Sequence, residues 1–254
     1  MFEKLIWQKD RMLLGDLVFR LEHYKNDNWE LGENCFRFFK LKELTDQYAK
    51  FFSSKHDFRP ENVLELGTWD GGSVAFWFEC FQPRRHVAID LMDREDSAYF
   101  RRYVSSRRLQ DRIKTIWRTD QADSRRVKQV VATNLFGSLD LVIDDASHLY
   151  GPTKSSFETL FPLLRPGGLY IIEDWAWAHW KGCKVGPPGS ELTKLAFELV
   201  EAVGSTTELI AHLSIFEGFL AAERGEIEIP ELGDFTIEGH IYRQPRKRRY
   251  STNH

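Results

Sequence analysis

Apolar positions along the chain follow two rhythms that change near residue 60. Before it, in LIWQKDRMLLGDLVFRL (5–21) and CFRFFKLKELTDQYAKFF (35–52), apolar residues recur every three or four positions. That spacing puts them on one helical face and predicts an N-terminal helical cap over residues 1–60. From residue 62 onward, short apolar runs alternate with amphipathic stretches. The runs NVLEL (62–66), HVAID (86–90), IKTIW (113–117), LDLVID (139–144) and LYIIE (169–173) have strand length and strand composition. Those at 139–144 and 169–173 are nearly continuous, as expected of strands buried on both faces. Between them, SVAFWFECF (73–81), SAYFRRYVSSRR (97–108), SRRVKQVVATNL (124–135) and TKSSFETLFPLL (153–164) read as helices. A further helix is expected at 190–204, and LSIFEGFLAAERG (213–225) reads as a hairpin turning at Glu217-Gly218. The predicted class is α/β: a doubly wound, Rossmann-like sheet over 61–242, mostly parallel, with a C-terminal antiparallel hairpin.

Composition narrows the setting. The chain has 254 residues, 42% hydrophobic and 29% charged, which is enough to bury a sizeable core in a soluble domain. A net charge of −3 gives no global attraction to nucleic acid or to an anionic membrane. No stretch approaches the ~20 apolar residues of a membrane span. The opening MFEKLIWQKDRMLLGD is interrupted by charges, unlike a signal peptide. Cys35, Cys80 and Cys183 are odd in number and scattered, as in a cytoplasmic protein with reduced thiols. Residues 243–254, RQPRKRRYSTNH, read as a disordered basic tail, with RNA or membrane contact as the alternative. The aromatic-rich N-terminal segment suits either a lid or a homo-oligomer interface.

Three motifs carry chemistry. In VLELGTWDGGS (63–73) a strand ends in a glycine-rich turn that opens a helix, the place where open α/β sheets bind ligands. The spacing is G-x-x-x-G-G, not the dinucleotide G-x-G-x-x-G, which disfavours an NAD-linked oxidoreductase. Glu65 and Asp70 beside the turn would repel phosphates but suit an ammonium or sulfonium, as in S-adenosylmethionine. Asp90 ends the next strand, where an acid can bond both ribose hydroxyls. Asp120 and Gln121, after the third strand, would sit beside the adenine. IDDASH (143–148) and the later Glu173-Asp174 then put acid pairs at two strand tips on the same sheet edge. Asp145, Glu173 and Asp174 would repel one another unless a hard divalent cation joined them, and all-oxygen ligation favours Mg²⁺ over zinc. His148 lies close enough to act as general base, whereas Asp144 either faces the cofactor or holds the loop. The bland reading keeps these acids as helix caps or surface ion pairs.

These motifs, together with LRPGGLYIIEDWAWAHW (164–180), resemble the class I S-adenosylmethionine-dependent O-methyltransferases. The nearest resemblance is to the metal-dependent sugar O-methyltransferases of natural-product pathways, which act on macrolide deoxysugars and rhamnosyl groups. It covers about residues 60–225. It implies that Glu65, Gly67 and Gly71 hold the methionine end of the cofactor, with Thr68 and Ser73 in the same binding turn. Asp90 would bind the ribose, with Asp120 and Gln121 near the adenine. Asp145, Glu173 and Asp174 would ligate Mg²⁺, and His148 would be the base. Trp175, Trp177 and His179 are substrate-side candidates, with Trp180 a further flat surface, although tryptophans here equally suit a core lid. The expected partner is a small glycoside or vicinal diol. Two readings stay open beside it: a metal-independent small-molecule methyltransferase, and a cofactor-binding pathway partner without catalysis. An RNA methyltransferase is disfavoured because the acidic site would repel phosphates.

Overall fold

The computed structural model describes residues 2–22, 33–183, 186–206, 208–229 and 235–244. The first 60 residues depart from the helical expectation. Strands β1 (Leu5–Trp7), β2 (Arg11–Leu14) and β3 (Leu17–Leu21) form an antiparallel meander, and β4 (Phe36–Phe38) pairs parallel to β3. Helix α1 (Lys42–Ser53) is the one α-helix described in this part. The misleading spacing has a simple cause. Met12 and Leu14 alternate inward on β2, and Leu17 and Phe19 do so on β3. The Gly15-Asp16 turn adds one position between them, so two period-two patterns mimic helical spacing. The hairpin pairs Leu14 with Leu17 and Met12 with Phe19, and Gly15 adopts φ +63° to close it.

From residue 62 the chain follows the expected alternation. Its elements are β5 (Asn62–Leu66), α2 (Gly72–Phe81), β6 (Arg85–Ile89), α3 (Ala98–Ser106), β7 (Ile113–Ile116), α4 (Ser124–Asn134), β8 (Leu139–Asp144), α5 (Tyr150–Leu160) and β9 (Leu164–Glu173). Then come α6 (Thr193–Ser205), β10 (Ile210–Ile215) and β11 (Phe219–Arg224). The seven strands order as β10-β11-β9-β8-β5-β6-β7, and only β11 runs against its neighbours. The chain winds outward from β5 to β7, then returns to lay β8 on the other side of β5. That reversal opens a crevice at the carboxyl ends of β5 and β8.

Helices cover both faces, so all six residues of β8 are buried. One face packs Val127 of α4, Phe157 of α5 and Leu195 of α6. The other face packs α2, which is apolar nearly all round, against the N-terminal strands and α1. Phe19 and Phe38 meet Phe76 there, Phe36 packs on Phe19, and Tyr48 lies flat on Phe219 at 4.2 Å between ring centroids. The N-terminal segment therefore shares its core with the main sheet, which holds β4 and α1 against the strand tips. None of the described helices is long and apolar enough to cross a membrane. The basic tail lies outside the described residues from 245 onward; Arg243 pairs with Glu201 at 2.9 Å.

Candidate active site

The crevice holds a cavity of about 1070 Å³, large for a single ligand and roomy enough for a cofactor with an acceptor. Its floor is the glycine turn and the IDDASH loop. Gly67 has φ +83°, and a Cβ on it would lie 2.3 Å from the Asp145 carbonyl oxygen. The two strand tips cross so closely that only hydrogen fits. Gly67→Ala is expected to cost about 3 kcal/mol or more, because left-handed strain and a backbone clash add. Urea unfolding measures it, and a cost under about 1 kcal/mol would mean that the tips separate easily. Gly71, at φ +89°, is needed for a different reason: a Cβ there would enter the Phe100 ring.

The acids around the turn do distinct jobs. Glu65 is fully buried beneath it, bonded to the Ser73 hydroxyl and, at 3.1 Å, to His86 Nε2, and it does not line the cavity. Asp70 accepts from the Arg37 and Gly72 amides at 2.9 and 3.0 Å, tying β4 to the glycine turn. Burial pushes its carboxyl up to about 6 against the pull of those two amides. Asp90 lines the cavity and accepts from the Thr68, Trp69 and Met92 amides. The Thr68 hydroxyl, on the cavity wall, is buried without a hydrogen-bond partner, an orphan that a polar ligand group would satisfy. Asp120 also lines the cavity, with one oxygen taken by the Ala122 amide.

Gln121 lines the cavity as well, and its amide is also bonded within the fold. Its Nε2 donates to Asp144 and to Ser156, and its Oε1 accepts from the Ser147 amide at 2.9 Å. Asp144 also accepts from Ser156 and Tyr170 hydroxyls, both at 2.8 Å. Of the two roles open for Asp144, loop support is the one its contacts serve. Burial pushes it up to about 6, opposed by its hydroxyl donors and the His148 charge. The folded chain then keeps a proton between about pH 4 and 6 that the unfolded chain releases, so this group's stabilising contribution falls as pH rises through that window. Urea unfolding at pH 4.5 and 7 should show wild type losing roughly 2 kcal/mol more than Asp144→Asn across it. Equal losses would mean that the ionised carboxylate is as well held folded as unfolded.

At the tips of β8 and β9, Asp145, His148 and Asp174 each offer a ligand atom, all within 4.8 Å of one another. His148 Nε2 lies 3.8 Å from Asp145 Oδ1, and its ring stacks on Trp177 at 4.9 Å and 7°. His148 and Asp174 both adopt φ +53°, a strained conformation of the sort that gathers at functional sites. Glu173, expected as a third ligand, stands outside this group. Its Oε2 accepts from Lys40 Nζ at 2.6 Å and its Oε1 from the Tyr48 hydroxyl at 2.8 Å. Lys40 Nζ also donates to Asp145 Oδ2 at 2.7 Å. Burial alone would favour the neutral amine, but Asp145 and Glu173 outweigh it and hold the Lys40 pKa above its usual value. Burial raises Glu173 and Asp174, with the charge of Asp145 adding to both.

On the acceptor side, Trp177 and Trp180 line the cavity and stack at 6.0 Å. Trp175 and His179 do not line it. The Trp175 indole donates to the Phe216 carbonyl at 2.8 Å, and His179 Nε2 bonds Thr193 Oγ1 at 2.9 Å. Both fasten the loop to its surroundings. The sequence reading missed Lys40, Tyr48 and the wall formed by Phe39, Leu41 and Leu44. The available signal was a lysine inside the aromatic run CFRFFK, which ordinarily reads as a solvent-facing residue.

The switch point of this doubly wound sheet, with its glycine turn and the carboxylates at the neighbouring tips, is the place where open α/β sheets bind ligands. In comparison with known proteins, residues 64–175 match the family model described as a methyltransferase domain. Mycinamicin VI 2''-O-methyltransferase of Micromonospora griseorubida is 34% identical over 169 residues, 62% of this chain and 38% of that protein. Demethylmacrocin O-methyltransferase of Streptomyces fradiae is 33% identical over 178 residues, 61% of this chain and 42% of that one. The chain thus spans about two fifths of the length of these relatives. The MycE methyltransferase, solved in complex with Mg, SAH and mycinamycin VI, superposes with a TM-score of 0.56 at 30% identity, over 76% of this chain and 53% of that one.

Proposed function

We propose that the protein is an S-adenosylmethionine-dependent, Mg²⁺-assisted O-methyltransferase acting on a sugar hydroxyl, deoxysugar or rhamnosyl, or another vicinal diol of a small natural product. The observation that carries the reading is the grouping of Asp145, His148 and Asp174 within 4.8 Å, on the strand edge that also bears the glycine turn. The sugar O-methyltransferases above support it, as does the rhamnosyl tetracenomycin-C 2'-O-methyltransferase of Streptomyces olivaceus, 32% identical over 147 residues.

The residues fit both groups. For the cofactor, Asp90 and Asp120 line the cavity with free acceptor capacity, and the Thr68 hydroxyl awaits a partner. Ser73 lines the cavity and is held by Glu65 from below, and Gly67 permits close approach. For the cation, Asp145 and Asp174 supply hard oxygen donors, with Glu173 adjacent. Bound there, Mg²⁺ would act as a Lewis acid that lowers the pKa of an acceptor hydroxyl. The chain's own part is positional. His148 Nε2, at the cavity wall, takes the hydroxyl proton, and the neighbouring Asp145 carboxylate favours the imidazolium that results. Trp177 and Trp180 offer flat apolar surfaces to a sugar ring or aglycone, and the closed floor keeps the acceptor oriented.

The test is calorimetric titration of S-adenosylmethionine and Mg²⁺, followed by mass detection of methylated product from a panel of rhamnosides and simple diols. Binding of both with product formation supports the reading. Cofactor binding without metal moves the protein to the metal-independent alternative, and binding of both with no turnover on any diol moves it to a non-catalytic partner.

A further inference from the structure

The buried lysine at the acid cluster is not accounted for by the methyl-transfer reading. Lys40 sits in the connection between β4 and α1, in a segment the methyltransferase family match does not reach, and is 2% exposed. Its ammonium is wedged between Asp145 and Glu173, at 2.7 and 2.6 Å. Three carboxylates converge on this spot, since Asp174 follows Glu173 and shares the Asp145 neighbourhood. Such a group needs a counter-charge. A divalent cation would supply one from solution, and Lys40 supplies one from the chain itself.

Two cations on one carboxylate weaken each other's hold. A metal ion held by Asp145 and Asp174 would share the Asp145 carboxylate with the ammonium, and the like charges would repel. We propose that Lys40 is a tethered counter-ion that competes with the divalent cation for Asp145, the carboxylate the two would share. Metal binding is favoured when its ammonium withdraws from Asp145. This rests on the metal reading of the same site and adds its control: the chain sets its own metal affinity below what the three carboxylates would give. Withdrawal has a structural route. Lys40 itself lines the cavity, between Phe39 and Leu41, so its side chain has that space to turn into. Tyr48 keeps its hydrogen bond to Glu173 Oε1 and holds that carboxylate in place meanwhile.

The probe is Mn²⁺, whose binding is followed by electron paramagnetic resonance of the free ion and by calorimetry, without turnover. The full chain is compared with Lys40→Met, Lys40→Gln and Lys40→Arg. Removing the positive charge should tighten Mn²⁺ by about tenfold or more, whereas Lys40→Arg, which keeps it, should bind no tighter than wild type. Thermal unfolding with and without Mn²⁺ guards against a poorly folded variant, because the neutral variants should gain more in melting temperature from the metal than wild type does. Lys40→Gln retains an amide donor to the carboxylates if Lys40→Met does not fold. Metal binding by a neutral variant alone also supports the proposal. Equal or weaker binding by the neutral variants, with wild type binding Mn²⁺, overturns it and leaves the metal site standing. No binding by any of the four proteins overturns both.

Discussion

Replacing His148 with glutamine is expected to leave S-adenosylmethionine affinity unchanged and to lower the methyl-transfer rate by about 10²–10⁴-fold, the usual worth of a positioned base. The side chain is the one imidazole lining the cavity among the described residues. It is pinned by its stack on Trp177 and by the Asp145 carboxylate at 3.8 Å. Glutamine preserves bulk and hydrogen bonding but cannot accept a proton near neutral pH. The pH–rate profile of the variant should therefore lose the limb that a general base contributes. His148 also stands among the candidate ligands, and the Mn²⁺ affinity of His148→Gln separates the roles. Unchanged metal affinity with a lost limb marks a base. Weakened metal binding with the limb intact marks a ligand.

Asp145→Asn carries the other large effect. Asp145 is the one residue shared by both clusters, facing Lys40 through Oδ2 and His148 through Oδ1. Asparagine keeps the shape and an acceptor for Lys40 but removes a charge that the cation needs. Mg²⁺ affinity should fall by at least about 100-fold, beyond the usual cost of losing a residue that merely supports a ligand. Cofactor binding should survive, because the cofactor wall of Thr68, Asp90 and Asp120 lies on the far side of the β5–β8 crevice. Chelator-treated wild type should be as slow as the variant. If chelation leaves wild-type turnover untouched, the acids serve as structure and acid–base groups alone.

What the sequence by itself determined is the main sheet. Parallel strands covered on both faces must be apolar throughout, and the loops at their tips must carry the polar chemistry, so local pattern and position suffice. The bounds of β5 and β8, the closing hairpin and the grouping of Asp145 with Asp174 follow from that. The N-terminal strands escaped because a two-residue turn between alternating strands is indistinguishable, by spacing alone, from a helical face. Side-chain allegiance escaped for a different reason. Gln121, Glu65 and Glu173 occupy the expected loops and strand ends, yet each spends its polar atoms on a partner from another element. Trp175 and His179 likewise brace the loop they belong to. Lys40 and Tyr48 reach Glu173 across 133 and 125 residues of sequence. No local rule relates residues that far apart. Only the packing of the N-terminal sheet and α1 on the α2 face delivers a buried ammonium to two carboxylates, because burying that charge is tolerable only where opposite charges already wait.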